Sequence, residues 1–489
     1  MDRNRQSTIA AIISIVIAVL CTTMQAKTIY VDDDAPPGGD GSSWARAFTY
    51  LQDALATAQP DDEIHVARGV YRPDRSSVHP DGTGDRGASF CLLDGVAIQG
   101  GYAGVGEIDP DARDIVIYET ILSGDLAGDD VPVLDPCDLL TEPTRDENVY
   151  NIVTAQSCNR SAVLDGFTIT SATAGALLLP EKVRPCRPSI RNCTFVGNRA
   201  GVGAAVYIND GIEPELAHCT FVLNVAQRGG GALTAVLGRG PHPDADGFVI
   251  KGCVFAWNLA VGAGKDIPAG GGAVSIVWGS PSIIEDCAFV GNTAEIGGAI
   301  YSSRAENIVN CCFIQNVAHA AGGAIYFDGT ELNTTSCTFF GNMAPNAQAC
   351  YAGDQAVLSI TNTILWNGRD EIALAGDSSV NVTYSDIQGG WPGEGNIDAD
   401  PLFADPGLQD PNDGSLMVGD YHLKSQAGRW DPNSQTWVQD EITSPCIDAG
   451  DPNSPVGEEP DPNGGRINMG AYGGTSEASK SCLGEMEGR

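Results

Sequence analysis

Six times between Cys193 and Asn342 the chain repeats Cys-x-Phe-x-x-Asn. The copies are Cys193/Phe195/Asn198, Cys219/Phe221/Asn224, Cys253/Phe255/Asn258, Cys287/Phe289/Asn292, Cys311/Phe313/Asn316 and Cys337/Phe339/Asn342, at steps of 26, 34, 34, 24 and 26 residues. A unit of that length cannot bury its own apolar face and gains a core only by stacking on its neighbours, so the period specifies a solenoid. A length of 489 residues would otherwise suggest several domains, but a solenoid grows along one axis around one core.

The first half of the repeat fits either a leucine-rich repeat or a parallel β-helix. The second half separates them. Gly297-Gly-Ala-Ile-Tyr-Ser302 and Gly322-Gly-Ala-Ile-Tyr-Phe327 put a glycine pair before β-branched and aromatic residues. That favours a turn and a second strand over a helix. The predicted fold class is therefore all-β: a right-handed parallel β-helix solenoid with an N-terminal capping helix and a loop-rich C-terminal cap. Gly is 60 of the residues, and it clusters in these turns.

Strand alternation assigns the faces. Cys and Phe share the inward side, and Thr194, Val196, Thr220, Val222, Ala288 and Val290 form a small, bland outer face with no carboxylate row. In the second strand Val206, Leu233, Val274, Ile300 and Ile325 point in, and Tyr207, Thr234, Ser275, Tyr301, Tyr326 and Tyr351 point out. Tyr301, Tyr326 and Tyr351 recur every 25 residues, so three consecutive coils carry a tyrosine row. Such a row offers sugar rings an aromatic face with a polar tip; equally, it stabilises neighbouring strands by stacking. Tyr207, Tyr301, Tyr326 and Tyr351 are the candidate ligand-binding residues, and no catalytic residue is assigned.

Residues 1–26 read as a secretory signal, with Arg3 and Arg5 before an apolar run from Ile9 to Leu20 that is too short to span a bilayer. Residues 27–62 hold the strand Thr28–Val31 and an amphipathic helix from Ser43 to Leu55, capped by Ser43 and placed as a lid on the solenoid. The β-helix is expected over 63–388, most regular from 160, with an acidic excursion from Asp125 to Glu147. From 389 to 489 Asp-Pro, Pro-Asn and Gly pairs dominate, the signature of a C-terminal cap of turns. No segment after the signal is apolar enough to be a transmembrane helix.

The formal charge is −36, from 27 basic and 63 acidic residues. That excludes nucleic acid as a natural partner and disfavours acidic polysaccharides unless a cation bridges them. Fifteen cysteines in an exported chain would ordinarily mean disulfides. Here six occupy one repeat position, which predicts a ladder of free, buried thiols, with bridges confined to off-register pairs such as Cys446 with Cys482. Zinc is not expected, since the chain has no Cys-x-x-Cys and its six histidines are scattered. No cofactor is required. A possible Ca²⁺ site in the C-terminal cap rests on Asp448, Asp451 and Asp461, which also suit turn geometry alone.

At the Gly-Gly-Ala-Ile and Phe-x-x-Asn units, over about residues 160–370, the chain resembles chlamydial polymorphic membrane proteins within the pectate-lyase-like β-helix group. Ser444-Pro-Cys-Ile-Asp-Ala-Gly-Asp-Pro452 through Tyr472 resembles the choice-of-anchor Q domain of secreted bacterial β-helix proteins. The run from Asp32 to Trp44 is similar to the start of such proteins, many planctomycete-like. The resemblance implies an exported bacterial protein at the cell surface or outside the cell. The membrane β-barrel that displays the chlamydial proteins has no counterpart in the strand pattern here. The sequence favours a non-catalytic binding or adhesion scaffold, carbohydrate or a cell-surface glycan being the candidate partner. The alternative is a polysaccharide lyase or glycoside hydrolase, which needs clustered carboxylates with a nearby base or two carboxylates at fixed separation. No polygalacturonase-like Gly-His-Gly and no recurrent carboxylate–base constellation is present.

Overall fold

The computed structural model describes residues 26–482 apart from 134, 156–161, 180–186, 210–212, 237–247, 263–269, 278–281, 369 and 408–418. The signal segment lies outside the described residues. The chain is a parallel β-helix. Strands of successive coils align into parallel sheets of 12, 11, 10 and 5 strands, each ordered along the chain. At the parallel-strand spacing, a 12-strand stack is about 53 Å long.

One coil shows how the sequence makes the turns. Ser189–Arg191 lies in the 12-stranded sheet, Thr194–Val196 in the 11-stranded, Arg199–Val202 in the five-stranded and Val206–Ile208 in the ten-stranded sheet. Each Cys of the repeat follows a residue in the left-handed region, such as Asn192, His218, Asp286 and Asn310 with φ of 53°, 53°, 55° and 51°. A single left-handed residue reverses the side-chain alternation and turns the chain from one sheet to the next. The Gly-Gly-Ala corner divides the labour between its two glycines. Gly271, Gly297 and Gly322 adopt φ of 77°, 59° and 68°. At Gly272 and Gly298 a Cβ would overlap the carbonyl oxygen of the stacked glycine in the next coil.

Inside, identical residues stack. Phe195, Phe221, Phe255, Phe289, Phe313 and Phe339 form a continuous column with centroids 4.5–5.0 Å apart and interplanar angles of 3–9°. The asparagines are buried beside them. After the first, Asn198, each Oδ1 accepts from the backbone N–H and from Nδ2 of the asparagine one coil earlier, as Asn258 does from Asn224 at 3.1 and 3.0 Å. The column runs from Asn198 to Asn367 and ends on Glu371, which accepts from Asn367 N and Nδ2 at 2.7 and 2.6 Å. A carboxylate thus takes the place of the next carboxamide.

The six repeat cysteines are buried and free, and so is every other described cysteine disulfide-free. Their sulfurs are hydrogen-bonding groups at the corner. Cys253 Sγ accepts from Cys219 N and donates to Leu216 O, at 3.4 and 3.5 Å. In the last coils Thr363 and Ser385 hold the same position, with Cys337 N donating to Thr363 Oγ1 at 3.2 Å and Thr363 N to Ser385 Oγ at 3.1 Å. The expected Cys446–Cys482 bridge does not form. Cys446 Sγ instead donates to Asp386 Oδ2 at 3.0 Å, and Cys482 lies 3.2 Å from Thr443 Oγ1.

The two ends differ from the sequence reading. The lid is not one helix from Ser43 to Leu55 but a 3₁₀ turn, Trp44–Arg46, and an α-helix, Leu51–Thr57. Between them Phe48 pairs with Val31, donating to Tyr30 O and accepting from Asp32 N at 2.9 Å each. The open edge of the first strand captures that backbone, so Ser43 makes no side-chain cap. Leu51, Ala54 and Leu55 still close the first coil.

At the other end a short return, with Ile397 pairing with Asp386, seats Trp391 against the core. The chain beyond it then folds back along the solenoid. Phe403, Tyr421, Leu423, Ile447 and Met469 pack on Ala256, Val290, Ile314 and Ile364, the outer face of the 11-stranded sheet. The bland outer face is a docking face. Its outward column begins with Val222 and, from Ala256 through Val290, Ile314 and Phe340 to Trp366, grows larger coil by coil.

Candidate functional site

The expected tyrosines lie in register in the ten-stranded sheet, in the order Tyr207, Thr234, Ser275, Tyr301, Tyr326, Tyr351, Ala373. Tyr207 is thus three coils from Tyr301, cut off by buried Thr234 and Ser275 on the two coils between. Tyr301 is not an exposed platform residue. It is 7% exposed, Gly270 lies against it, and burial pushes its hydroxyl up to about 12. Tyr326 and Tyr351 are half-buried.

Stacking decides what the row can present. Tyr301 and Tyr326 have centroids 5.9 Å apart at 25°, Tyr326 and Tyr351 4.7 Å apart at 19°. Rings stacked along the solenoid axis give their faces to one another, so Tyr326 offers a ligand its edge and hydroxyl. Tyr351 is the last ring of the row, and Ala373 holds the next register position, so no further ring stacks on it there. Exposed Asp328 and Asp354 stand beside the row. Burial and the neighbouring Asp354 raise the Asp328 carboxyl, and Asp354 Oδ1 accepts from Asp377 N at 2.9 Å. The sequence reading omitted these two carboxylates, although Tyr326-Phe-Asp328 and Tyr351-Ala-Gly-Asp354 place an acid just after each ring.

Asp448, Asp451 and Asp461 do not converge on one point. Asp448 Oδ1 accepts from Ser481 Oγ at 2.8 Å, and Asp451 Oδ1 from Asn453 N and Nδ2 at 2.9 and 3.0 Å. The bond from Asn453 N, two residues on, is what Asp does in turns, whereas Ser481 ties Asp448 to a distant segment of the cap. Among the described residues the carboxylates close enough to share an ion are Asp32, Asp33 and Asp34, and Asp125, Asp130 and Glu147. In the first group Asp32 binds Asp34 N and Val105 N at 2.9 and 2.6 Å, and Asp33 binds Val70 N at 3.0 Å, so these carboxylates tie loops together. In the second, Arg145 lies 3.5 Å from Asp130, with its side chain 7% exposed. An arginine so enclosed and ion-paired is not poised to take a proton from a bound sugar.

A family model described as "Disaggregatase related" matches residues 305–450, and the chlamydial polymorphic membrane protein repeat matches residues 286–303. The first runs across the expected boundary at residue 389, joining the last coils to the segment folded back on them. Metabotropic glutamate receptor-like protein R of Dictyostelium discoideum is 25% identical over 203 residues, which is 39% of this chain and 12% of that protein. Pectate lyase Pel9A aligns over 91% of this chain and 96% of its own, with TM-score 0.47 and 12% identity. A rhamnogalacturonan lyase aligns over 82% and 97%, with TM-score 0.40 and 12% identity. Among the described residues no helix is long and apolar enough to cross a membrane.

Proposed function

We propose that this protein is an exported, non-catalytic β-helix scaffold that binds a neutral glycan at the Tyr326–Tyr351 end of the tyrosine row. The observation that carries the reading is that Tyr351 ends the stacked row, with Ala373 and no further ring at the next register position, beside exposed Asp328 and Asp354. A sugar ring laid on Tyr351 at that end buries its C–H surface on the aromatic ring. Its hydroxyls then donate to the two carboxylates, as charge-assisted hydrogen bonds. The acidic surface, at −36 overall, supports a neutral ligand over a uronate polymer. Export rests on Arg3, Arg5 and the apolar run to Leu20, and retention at the cell surface on the anchor-like run Ser444–Tyr472.

The test is calorimetry against a panel of neutral and acidic polysaccharides, with unsaturated uronates followed by their ultraviolet absorbance. Binding of a neutral glycan without turnover, lost in Tyr351→Ala and kept in Tyr207→Ala, is the expected result. Turnover of any polysaccharide, or binding indifferent to Tyr351→Ala, overturns the reading.

A further inference from the structure

We propose that Asp125, Asp130, Glu147 and Asn148 form a calcium site that ties together the two ends of the acidic excursion. The excursion leaves the strand Thr120–Ser123 and returns ahead of the strand Val153–Ala155. Asp125 and Asp130 lie at its start, Glu147 and Asn148 at its end. One carboxylate oxygen from each of Asp125, Asp130 and Glu147 lies within 4.8 Å of the others. Oxygens bound to one calcium at about 2.3–2.6 Å are separated by no more than about 5 Å, so the three fit a single coordination sphere.

Two buried oxygens of these residues lack a hydrogen-bond partner. Asn148 is 0% exposed, and its carboxamide is directed into the cluster, with Nδ2 donating to the two oxygens of Asp130 at 3.3 and 3.0 Å. Its Oδ1 is buried without a partner, as is Glu147 Oε1. Buried acceptors without a donor are costly, and a bound cation is one way to satisfy them.

The charge balance agrees. Arg145 is the cation at hand, 3.5 Å from Asp130, and its Nη1 also donates to Gly197 O at 3.0 Å. One guanidinium does not balance three carboxylates. Burial raises the carboxyls of Asp130 and Glu147, and the neighbouring acids raise Glu147 further. The ligand set is oxygen only, three carboxylates and a carboxamide, which suits a hard cation and not zinc or copper.

The site has a mechanical consequence. The excursion carries the 3₁₀ turns Pro136–Leu140 and Pro143–Arg145. Arg199 holds them on the coils by donating to Leu139 O and Arg145 O at 3.0 and 3.1 Å. A cation joining the start and end of the excursion removes loop entropy and fixes this segment on the solenoid.

The experiment uses the full chain stripped with chelator and titrated with calcium chloride, read by calorimetry, thermal melting and limited proteolysis. Expected are saturable binding, a raised melting temperature and protection of the segment between Asp125 and Glu147. Glu147→Gln, which removes a charge and keeps the shape of the side chain, is expected to lose the melting shift. Asp448→Asn keeps it. No response to calcium overturns the site. So does a calcium response that persists unchanged in both Glu147→Gln and Asn148→Ala, or an equal response to magnesium.

Discussion

Gly197 and Gly298 show how much a single position can carry. Gly197 has φ 62°, and a Cβ there meets only Thr170 Oγ1, at 3.9 Å. Gly197→Ala therefore carries the left-handed conformational term alone, about 1 kcal/mol. At Gly298 a Cβ would overlap the Gly323 carbonyl oxygen, so the coils must part. Gly298→Ala is expected to cost about 3 kcal/mol or more. Urea unfolding of the two variants checks the contrast, and equal losses would refute the close-approach explanation. The inward Cys and Phe were legible because each repeats at one register position. The left-handed residues before each Cys went unread although Asn192, His218, Gly252, Asp286 and Asn310 are all of types that tolerate positive φ, because their identity changes from coil to coil and only the stacked backbone shape is constant.

At the scale of elements, stacking neighbours override local preference. Helical spacing from Ser43 to Leu55 was a sound local signal, yet the unpaired edge of Thr28–Val31 drew Phe48 into strand pairing. The far end closes by Trp391, whose ring packs on the core and whose carbonyl accepts from Asn396 Nδ2 at 3.2 Å. Trp391→Ala is expected to destabilise the last coil by about 2 kcal/mol, since the residue is half-buried. Hydrogen exchange should then quicken in the strand Ser379–Thr383 before the central coils, as fits a solenoid that frays from its ends. Uniform quickening would mean that the tryptophan does not act as an end cap. The tyrosine row was legible as a periodicity, but where the stack of rings ends depended on Ala373, the residue one coil further on.

The whole molecule carries several buried carboxyl groups that burial raises: Glu306 to about 8, Glu371 and Glu459 to about 7, and Asp386 to about 6. Each binds its proton more tightly folded than unfolded. Their contribution to stability is therefore complete below about pH 4, the unfolded range, and is lost as pH rises through 6 to 8. The net charge of −36 acts in the same direction as carboxylates ionise. Melting temperature is expected to be higher at pH 5 than at pH 8, with a smaller difference in Glu306→Gln. A flat or rising profile would contradict this.

By itself the sequence determined the coil. Period, inward ladders and glycine corners are all local to one repeat, and a repeat packs against copies of itself. Tertiary structure alone decided where the last hundred residues go. Their turn-rich composition says only that they are not regular strands. Their docking face was written as consecutive apolar pairs, Phe339-Phe340 and Leu365-Trp366, in which both sides of a strand are apolar and so both must be covered. Which segment covers the outer side is not encoded in any one repeat. It follows from Asp386 meeting Cys446, Thr338 Oγ1 meeting Ala471 N and Phe340 meeting Phe403, contacts between residues far apart in the chain that exist only once the solenoid has formed.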